Sequence, residues 1–394
     1  MLTPPRRNAS PNAGASDRES FNLPSPLARA GLVVSLAALA LSACASTPRV
    51  SLSQPASPPD ETGVPEAFKD LPGWANEDHS QAFDAFRQGC AAARDPLLIE
   101  VCARARALGS LSDQQAQKFF ETRFQPVAVT GSGVLTAYFA PEYEARRQPD
   151  ATFAAPALAR PNDLVISGTG GRDALQRKPA GGLGPYPERA AIEATLPSAP
   201  LAWLKAEDLF FLQIQGSGVV TFPDGERMKL AFSATNGRPF SGIANAMRDR
   251  GLLAAGNTSG DAIRQWLADH RGQEAAQIMQ LNPRYVFFSL APDDGRPPVG
   301  AAGVPLPPGR AIAVDASQHR LGDLYWIDGE APILTGAFPT YRRLVTALDV
   351  GGAIKGQVRA DLYLGQGAAA GAEAGRVRHT LKMYRLVPRP DPGA

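Results

Sequence analysis

The sequence is poor in the side chains that hold metal ions. Its 394 residues include three cysteines and four histidines. Neither a CxxC nor an HExxH spacing occurs, and these are the spacings typical of zinc sites. We therefore expect no metal site and no cofactor.

The sequence also lacks an excess of charge of one sign. Forty basic residues stand against 38 acidic ones, which gives a formal net charge of +2. This balance provides no field suited to phosphates, so we expect no nucleic-acid partner. A hydrophobic content of 44% excludes disorder over the whole chain. At roughly 100–200 residues per domain, the length predicts two or three domains.

Two common catalytic motifs are missing as well. No GxSxG nucleophile elbow occurs, and the histidines have no evident serine or cysteine partner. Residues 365–371 (GQGAAAG) have the spacing GxGxxxG, which differs from the dinucleotide fingerprint, and no βαβ pattern surrounds them. We interpret this segment as a tight loop that closes a β-barrel.

The apolar run near the N-terminus is too short to span a bilayer. It covers the twelve residues 30–41, follows Arg29 and is typical of a signal-peptide core. It ends in residues 41–44 (LSAC), which resemble the bacterial lipobox. We predict that residues 1–43 are a leader and signal peptide, that Cys44 is lipidated and that residues 44–65 are a linker. An ordinary signal peptide with an incidental cysteine is the alternative.

Lipidation at Cys44 would tether the mature chain to a membrane without threading it through. No aspartate follows Cys44, so we expect sorting to the periplasmic face of the outer membrane. In that oxidising compartment Cys90 and Cys102 are expected to form a disulfide that links two short helices. Two free buried thiols are the alternative.

The pattern along the chain changes from helices to strands. Helical spacing extends to about residue 124, and short strands separated by turn signals then predict a closed β-barrel. We interpret residues 208–215 (DLFFLQIQ) as a buried strand and residues 219–225 as the start of a hairpin. Residues 261–280 have the clearest pattern of an amphipathic helix.

Aspartates accumulate at the ends of the last predicted strands. The group consists of Asp315, Asp323, Asp328, Asp349 and Asp361. Partly apolar surroundings would raise the pKa of such a carboxyl, and a protonated carboxyl is what protonation of a glycosidic oxygen requires. Solvated turn aspartates are the alternative that composition alone leaves open.

Several segments resemble one known family. Residues 347–363 (ALDVGGAIKGQVRADLY) are similar to the signature of the membrane-bound lytic murein transglycosylase A family, within its three-aspartate (3D) region. Further similar segments follow one another in the family's order: 135–141 (LTAYFAP), 213–218 (QIQGSG), 236–240 (NGRPF) and 282–288 (NPRYVFF). The similarity extends from about residue 125 to residue 388.

The resemblance implies a mainly β fold with N-terminal helices. A double-psi β-barrel would carry an inserted, smaller β-rich domain, and a groove between them would hold a glycan strand. The expected parts are N-terminal helices with the first barrel segment, the inserted domain, the 3D region that completes the barrel and a short tail: 66–145, 146–285, 286–388 and 389–394.

The resemblance also assigns roles to residues. Asp361 maps to the family's catalytic aspartate, and Asp349 and Asp315 would support it. Expected contacts of the groove with sugar hydroxyl and acetamido groups are Thr136, Tyr138, Gln215, Ser217 and Lys355. The implied reaction cleaves the β-1,4 bond between N-acetylmuramic acid and N-acetylglucosamine without water and forms 1,6-anhydromuramic acid ends.

Two other functions remain open from the residues. An inverting glycoside hydrolase would use Asp315 or Asp349 as a second carboxylate that activates water. A lipid-anchored protein without activity would only bind peptidoglycan. Expected partners are peptidoglycan strands and the outer membrane, and cell-wall synthesis or division proteins are further candidates.

Overall fold

The computed structural model describes residues 66–167, 173–254, 257–331 and 338–390. The predicted signal peptide, Cys44 and the linker lie outside the described residues, as do residues 391–394 of the tail. No helix in the described part of the chain is both long and apolar enough to cross a bilayer.

Three helices form the N-terminal part of the described chain: α1 (His79–Gly89), α2 (Pro96–Leu108) and α3 (Asp113–Arg123). Each begins at a side chain that accepts a hydrogen bond from a backbone N–H of the first turn, namely Asp78, Asp95 and Ser112. Such caps satisfy donors that have no partner inside the helix. The sequence therefore specifies where these helices begin.

A disulfide joins Cys90, in a short 3-10 turn after α1, to Cys102 in α2. The two Cα atoms are 5.5 Å apart. Both residues are buried in the same apolar cluster, which also contains Phe83, Phe86 and Phe120. The bridge therefore fixes α2 against the end of α1.

The strands divide between a barrel and an intervening region. In chain order they are β1 (Phe124–Ala128), β2 (Gly133–Ala140), β3 (Glu142–Glu144), β4 (Ala155–Leu158), β5 (Leu164–Ser167), β6 (Asp173–Arg177), β7 (Leu183–Pro185), β8 (Pro200–Leu204), β9 (Gly218–Thr221), β10 (Arg227–Thr235), β11 (Val286–Pro292), β12 (Ala311–Val314), β13 (Leu324–Glu330), β14 (Thr340–Val350), β15 (Arg359–Gln366) and β16 (Arg378–Pro388).

Six strands close into a barrel in the order β16, β13, β14, β12, β15 and β2, because β16 pairs with both β13 and β2. Strand β1 adds to the outside of β16. The pairs β12–β14 and β15–β2 are parallel, and the other pairs are antiparallel. The barrel thus unites one strand that precedes the intervening region with five that follow it. This confirms the predicted mainly β fold class.

Side chains that alternate along the barrel strands belong to two apolar clusters, one inside the barrel and one outside it. In β13, Tyr325 and Ile327 point into the barrel, whereas Leu324 and Trp326 pack outward against the N-terminal helices. Side chains on successive strand residues face opposite sides, so a strand covered on both faces is apolar throughout. The helices therefore cover one outer side of the barrel.

The described residues between β2 and β12 form three small sheets, β11-β10-β9-β3, β4-β8 and β5-β6-β7. The helices of this region are α4 (Arg189–Thr195), α5 (Ala206–Gln215), α6 (Ala244–Asp249), α7 (Gly260–Asp269) and α8 (Gln273–Met279). The predicted hairpin is confirmed as β9 and β10, joined by a turn at Gly225.

The predicted strand over residues 208–215 is wrong, because these residues form α5. A short apolar run does not distinguish a buried strand from a buried helix. The helical signals lie at its ends: acidic Glu207 and Asp208 in the first turn, and Gly216 in a left-handed conformation after the last turn.

Two further expectations are corrected. The predicted helix 261–280 is broken into α7 and α8 at Gly272, which has a φ of 106° that ends a helix. The predicted tight loop over residues 365–371 is mostly helical instead, since α9 (Gly367–Ala374) begins there. Its alanines favour a helix, and Gly371 allows close contact with the Phe139 ring.

Candidate active site

One row of residues across four barrel strands carries two of the three aspartates. In register, Asp349 of β14 lies opposite Ala313 of β12, Ala313 lies opposite Asp361 of β15, and Asp361 lies opposite Thr136 of β2. Residues opposite one another share a face of the sheet. This face is the outer one, because the neighbouring residues Ile312 and Leu362 point into the barrel core.

A β-bulge brings Asp349 onto this face. Between β12 and β14 the register changes so that Ile312 pairs with Ala347 and Ala313 with Asp349, which leaves Leu348 as the extra residue. Without this insertion, strict alternation would turn the carboxyl of Asp349 toward the interior. Bulges re-aim side chains in this way and are frequent beside active sites.

Asp361 accepts a hydrogen bond from a hydroxyl that is itself held in place. The Thr136 hydroxyl donates to Asp361 Oδ1, and Arg359 Nη2 donates to the same hydroxyl oxygen over 2.9 Å. Because a hydroxyl has one proton, the bond from Arg359 directs that proton toward the aspartate. Arg359, Thr136 and Asp361 therefore form one hydrogen-bond chain.

The surroundings of Asp361 favour its protonated form. Burial raises the pKa of Asp361, and the nearby Asp349 raises it further, while the Thr136 hydroxyl and Arg359 oppose the increase. The residue retains partial solvent exposure. A reachable carboxyl with a raised pKa can donate a proton, and the two opposing groups stabilise the carboxylate that remains.

Asp349 is held by three donors. Its Oδ1 accepts hydrogen bonds from the backbone N–H groups of Ala301 (3.0 Å) and Val350 (2.9 Å), and its Oδ2 accepts one from the Tyr138 hydroxyl (2.8 Å). Burial raises the pKa of Asp349, against the effect of these bonds. Tyr138 stands two residues after Thr136 and stacks at a tilt on Tyr363, with 5.3 Å between the ring centroids.

Asp315 has a different environment. Burial raises its pKa, but hydrogen bonds from the Gly356 backbone and from the backbone and hydroxyl of Ser317, with Lys355 nearby, lower the pKa to about 2. Lys355 Nζ lies 3.6 Å from Asp315 Oδ1. Asp315 is therefore an ionised carboxylate that holds residues 355 and 356, in the loop joining β14 to β15.

The five residues predicted to contact sugars differ in their distance from the aspartates: some contact them directly, and others contact neighbouring strands. Gln215, the last residue of α5, accepts a hydrogen bond from the Phe139 backbone N–H over 3.1 Å and so contacts β2 directly. Ser217 precedes β9, and its hydroxyl accepts a bond from the Phe232 backbone N–H over 3.1 Å. Thr136 and Tyr138 contact the aspartates, whereas Lys355 contacts Asp315 alone among the described residues.

Sequence reasoning missed Arg359. It lies two residues before Asp361 on the same strand, so the period of two places both side chains on one face. That spacing was readable, but an arginine in a strand usually indicates a solvated position. Among the described residues, no group of three or more His, Cys, Asp or Glu side chains is placed to hold a metal ion.

Comparisons with known proteins point to one family. Residues 134–289 match the family described as the MltA specific insert domain, and residues 310–387 match the 3D domain. The membrane-bound lytic murein transglycosylase A of Vibrio cholerae serotype O1 is 32% identical over 265 residues. That match covers 65% of this chain and 66% of the relative, slightly less than two thirds of the relative's length.

Two solved structures are similar over most of their length. The membrane-bound lytic murein transglycosylase from Agrobacterium tumefaciens has a TM-score of 0.73 and 33% identity, and the match covers 82% of this chain and 97% of that one. The Escherichia coli MltA structure with bound chitohexaose has a TM-score of 0.60 and 26% identity, with coverage of 85% and 93%.

Proposed function

Because the chain belongs to the membrane-bound lytic murein transglycosylase A family, we propose that it cleaves peptidoglycan without water. The bond cleaved is the β-1,4 linkage between N-acetylmuramic acid and N-acetylglucosamine, and the product ends in 1,6-anhydromuramic acid. The observation that supports this most strongly is the partly buried Asp361 carboxyl in its hydrogen-bond chain with Thr136 and Arg359.

Asp361 acts first as an acid. In its protonated form, which burial favours by raising the pKa of Asp361, it donates a proton to the glycosidic oxygen while positive charge develops on the muramyl ring. The Thr136 hydroxyl, directed by Arg359, stabilises the carboxylate as it forms.

Asp361 then acts as a base. Its carboxylate removes the proton from the C6 hydroxyl of the same sugar, whose oxygen attacks C1. The nucleophile belongs to the substrate, so the reaction gains from an intramolecular geometry and needs no second carboxylate to position water.

The other two aspartates support this reading over inverting hydrolysis. Both oxygens of Asp349 are occupied by three donors, and Asp315 is held by Ser317 and Gly356 beside Lys355. A general base for water needs an oxygen directed at the substrate. Asp349 and Asp315 therefore act as supports that shape the site around Asp361.

Domain organisation follows the same proposal. Residues 66–145 and 286–388 would form the helices and the barrel, with residues 146–285 inserted, and the groove between them would bind a glycan strand. The topology supports this, because β2 and β12 belong to one barrel and the small sheets lie between them in sequence. The chitohexaose bound to the Escherichia coli protein supports a glycan as ligand.

Within that groove, Thr136, Tyr138, Gln215, Ser217 and Lys355 would contact sugar hydroxyl and acetamido groups. Gln215 uses its side-chain oxygen for the Phe139 N–H, and within the described residues its amide nitrogen makes no hydrogen bond. That nitrogen could donate to a carbonyl of an acetamido group beside β2.

The proposed location is the periplasmic face of the outer membrane, through a lipid on Cys44. The lipobox-like segment before Cys44 supports it, as does the name of the Vibrio cholerae relative, which is membrane-bound.

Product analysis tests the proposal. The chain lacking residues 1–44 is incubated with purified sacculi, and the released fragments are weighed by mass spectrometry. Fragments that end in anhydromuramic acid, one water lighter than hydrolysed ones, are expected. Asp361→Asn should release none, while its melting temperature and chitohexaose binding stay near the parent values. An active Asp361→Asn variant would contradict the assignment.

A further inference from the structure

One arginine outside the row of aspartates has no side-chain acceptor in the part of the chain that the structure describes. Arg284 precedes β11, and its guanidinium lies against Gly352, where an added Cβ would come within 3.5 Å of Arg284 Cζ. Within the described residues the Arg284 side chain makes no hydrogen bond or ion pair. Burial lowers the pKa of Arg284, and no carboxylate in the described part of the chain opposes this effect.

Other arginines that are buried or partly buried have partners. Arg310 binds Glu77, Arg189 binds Glu193 and two backbone carbonyls, Arg359 binds the Thr136 hydroxyl, and Arg343 donates to the Gly309 carbonyl. Arg284 is partly exposed, so its donors are open to an incoming anion, which would form charge-assisted hydrogen bonds with them. The Arg284 guanidinium, which has no partner among the described residues, therefore indicates a binding site for an anion.

Buried amides fix Arg284 at this place. The Asn236 side chain donates to the Pro283 carbonyl and accepts from the Tyr285 N–H, while the Asn282 side chain accepts from the N–H groups of Ser241 and Arg284. The two asparagines are almost fully buried. They clamp the segments 236–241 and 282–285 together, so the backbone that carries Arg284 is held at both sides.

The guanidinium of Arg284 faces the loop that leads from Asp349 to the strand of Asp361. Gly352 is exposed and belongs to the loop that joins Asp349 to the strand of Asp361. It follows Asp349 by three residues, so its Cα lies at most roughly 11 Å from that of Asp349. Arg284 itself remains partly exposed, so a ligand can reach the guanidinium.

We propose that Arg284 binds a carboxylate of the murein strand. This deepens the proposed function and rests on it. A planar guanidinium offers paired donors that match a carboxylate, which distinguishes it from groups that bind neutral sugars. Chitohexaose, the ligand of the Escherichia coli relative, is a neutral oligosaccharide and cannot supply this group.

The carboxylate has two sources in murein. In strands without stem peptides, each muramyl residue carries a free lactyl carboxylate. In strands with stem peptides, that group is consumed in an amide bond, and carboxylates of the peptide replace it. The same guanidinium could bind either one, so both kinds of strand belong in the test.

The experiment compares the chain lacking residues 1–44 with its Arg284→Met and Arg284→Lys variants. Initial rates on peptide-free and peptide-bearing strands give KM and kcat, and titration gives the affinity for chitohexaose. Arg147→Met is the matched control, because that arginine pairs with Asp224 and Glu226 beyond the end of β9. Melting temperatures verify the fold of each variant.

Arg284→Met is expected to raise KM about tenfold or more on one or both kinds of strand, as for the loss of a charge-assisted hydrogen bond. Chitohexaose affinity should stay unchanged, and Arg284→Lys should lie between. An increase in KM on peptide-free strands alone would identify the lactyl carboxylate as the ligand. An increase on peptide-bearing strands alone would identify a carboxylate of the stem peptide.

Two results overturn the inference. One is an unchanged KM of Arg284→Met on both kinds of strand, and the other is an equal loss of affinity for murein and chitohexaose, which would show a general effect on the groove. A parent chain that acts on neither strand would instead refute the proposed function, and the inference with it.

Discussion

Replacing Thr136 by valine tests the hydrogen-bond chain behind the proposed acid. Valine keeps nearly the same volume but removes the hydroxyl that donates to Asp361 and accepts from Arg359. The carboxylate that develops in the transition state then loses one charge-assisted hydrogen bond. Such a bond contributes about 1.5–3 kcal/mol, so kcat/KM should fall roughly 10- to 100-fold.

The pH profile gives a second readout with a definite sign. The Thr136 hydroxyl lowers the pKa of Asp361, so its removal raises that pKa. The acid form is the active one, and kcat/KM decreases as pH rises through its pKa. The descending limb of the profile should therefore move to higher pH in Thr136→Val, measured as release of soluble fragments from sacculi.

Matched variants make the result specific. Thr136→Ser retains the hydroxyl, so its kcat/KM and the descending limb of its pH profile should stay near the parent values. Arg359→Met should move the limb in the same direction, since Arg359 also lowers the pKa of Asp361. The effects of Thr136→Val and Arg359→Met should be less than additive, because both residues act on Asp361 through the same pair of hydrogen bonds. A limb that stays in place or moves to lower pH would refute this reasoning.

Three other variants test separate parts of the account. The Cys90→Ser, Cys102→Ser double variant should lose about 2–4 kcal/mol of unfolding free energy by denaturant titration and keep its activity, since the disulfide lies among the N-terminal helices. Glu77→Ala removes the partner of the buried Arg310 and should cost about 3–5 kcal/mol in the same titration; a cost below 1 kcal/mol would contradict the importance of this pair. Cys44→Ser in the full chain should move an active protein from the membrane fraction to the soluble fraction, and continued membrane retention would reject lipid anchoring at that residue.

The sequence predicted those parts of the fold that depend on local patterns. Short strands separated by turn signals predicted the barrel, and the turn residues located the β9–β10 hairpin. The sequence did not predict elements whose type depends on tertiary packing. The run at residues 208–215 is buried on most sides, so its apolar residues have neither a clear helical nor a clear strand period.

The site was predictable in its residues but not in its geometry. The resemblance pointed to Asp361, Asp349 and Thr136, and the register brings all three into one row. The bulge at Leu348 has no signature in the sequence, because it arises from how β12 and β14 pair. Arg284 was quoted within a motif and given no role, because the lack of an acceptor becomes visible only in three dimensions.

In the proposed reaction the attacking nucleophile comes from the substrate and not from water. The most direct test is digestion of sacculi in water enriched in ¹⁸O, with mass spectrometry of the released muropeptides. Anhydromuramic ends without ¹⁸O are expected, because the oxygen that attacks C1 comes from the sugar. Reducing muramic acid ends that carry one ¹⁸O atom each would show attack by water, and would make the enzyme a hydrolase.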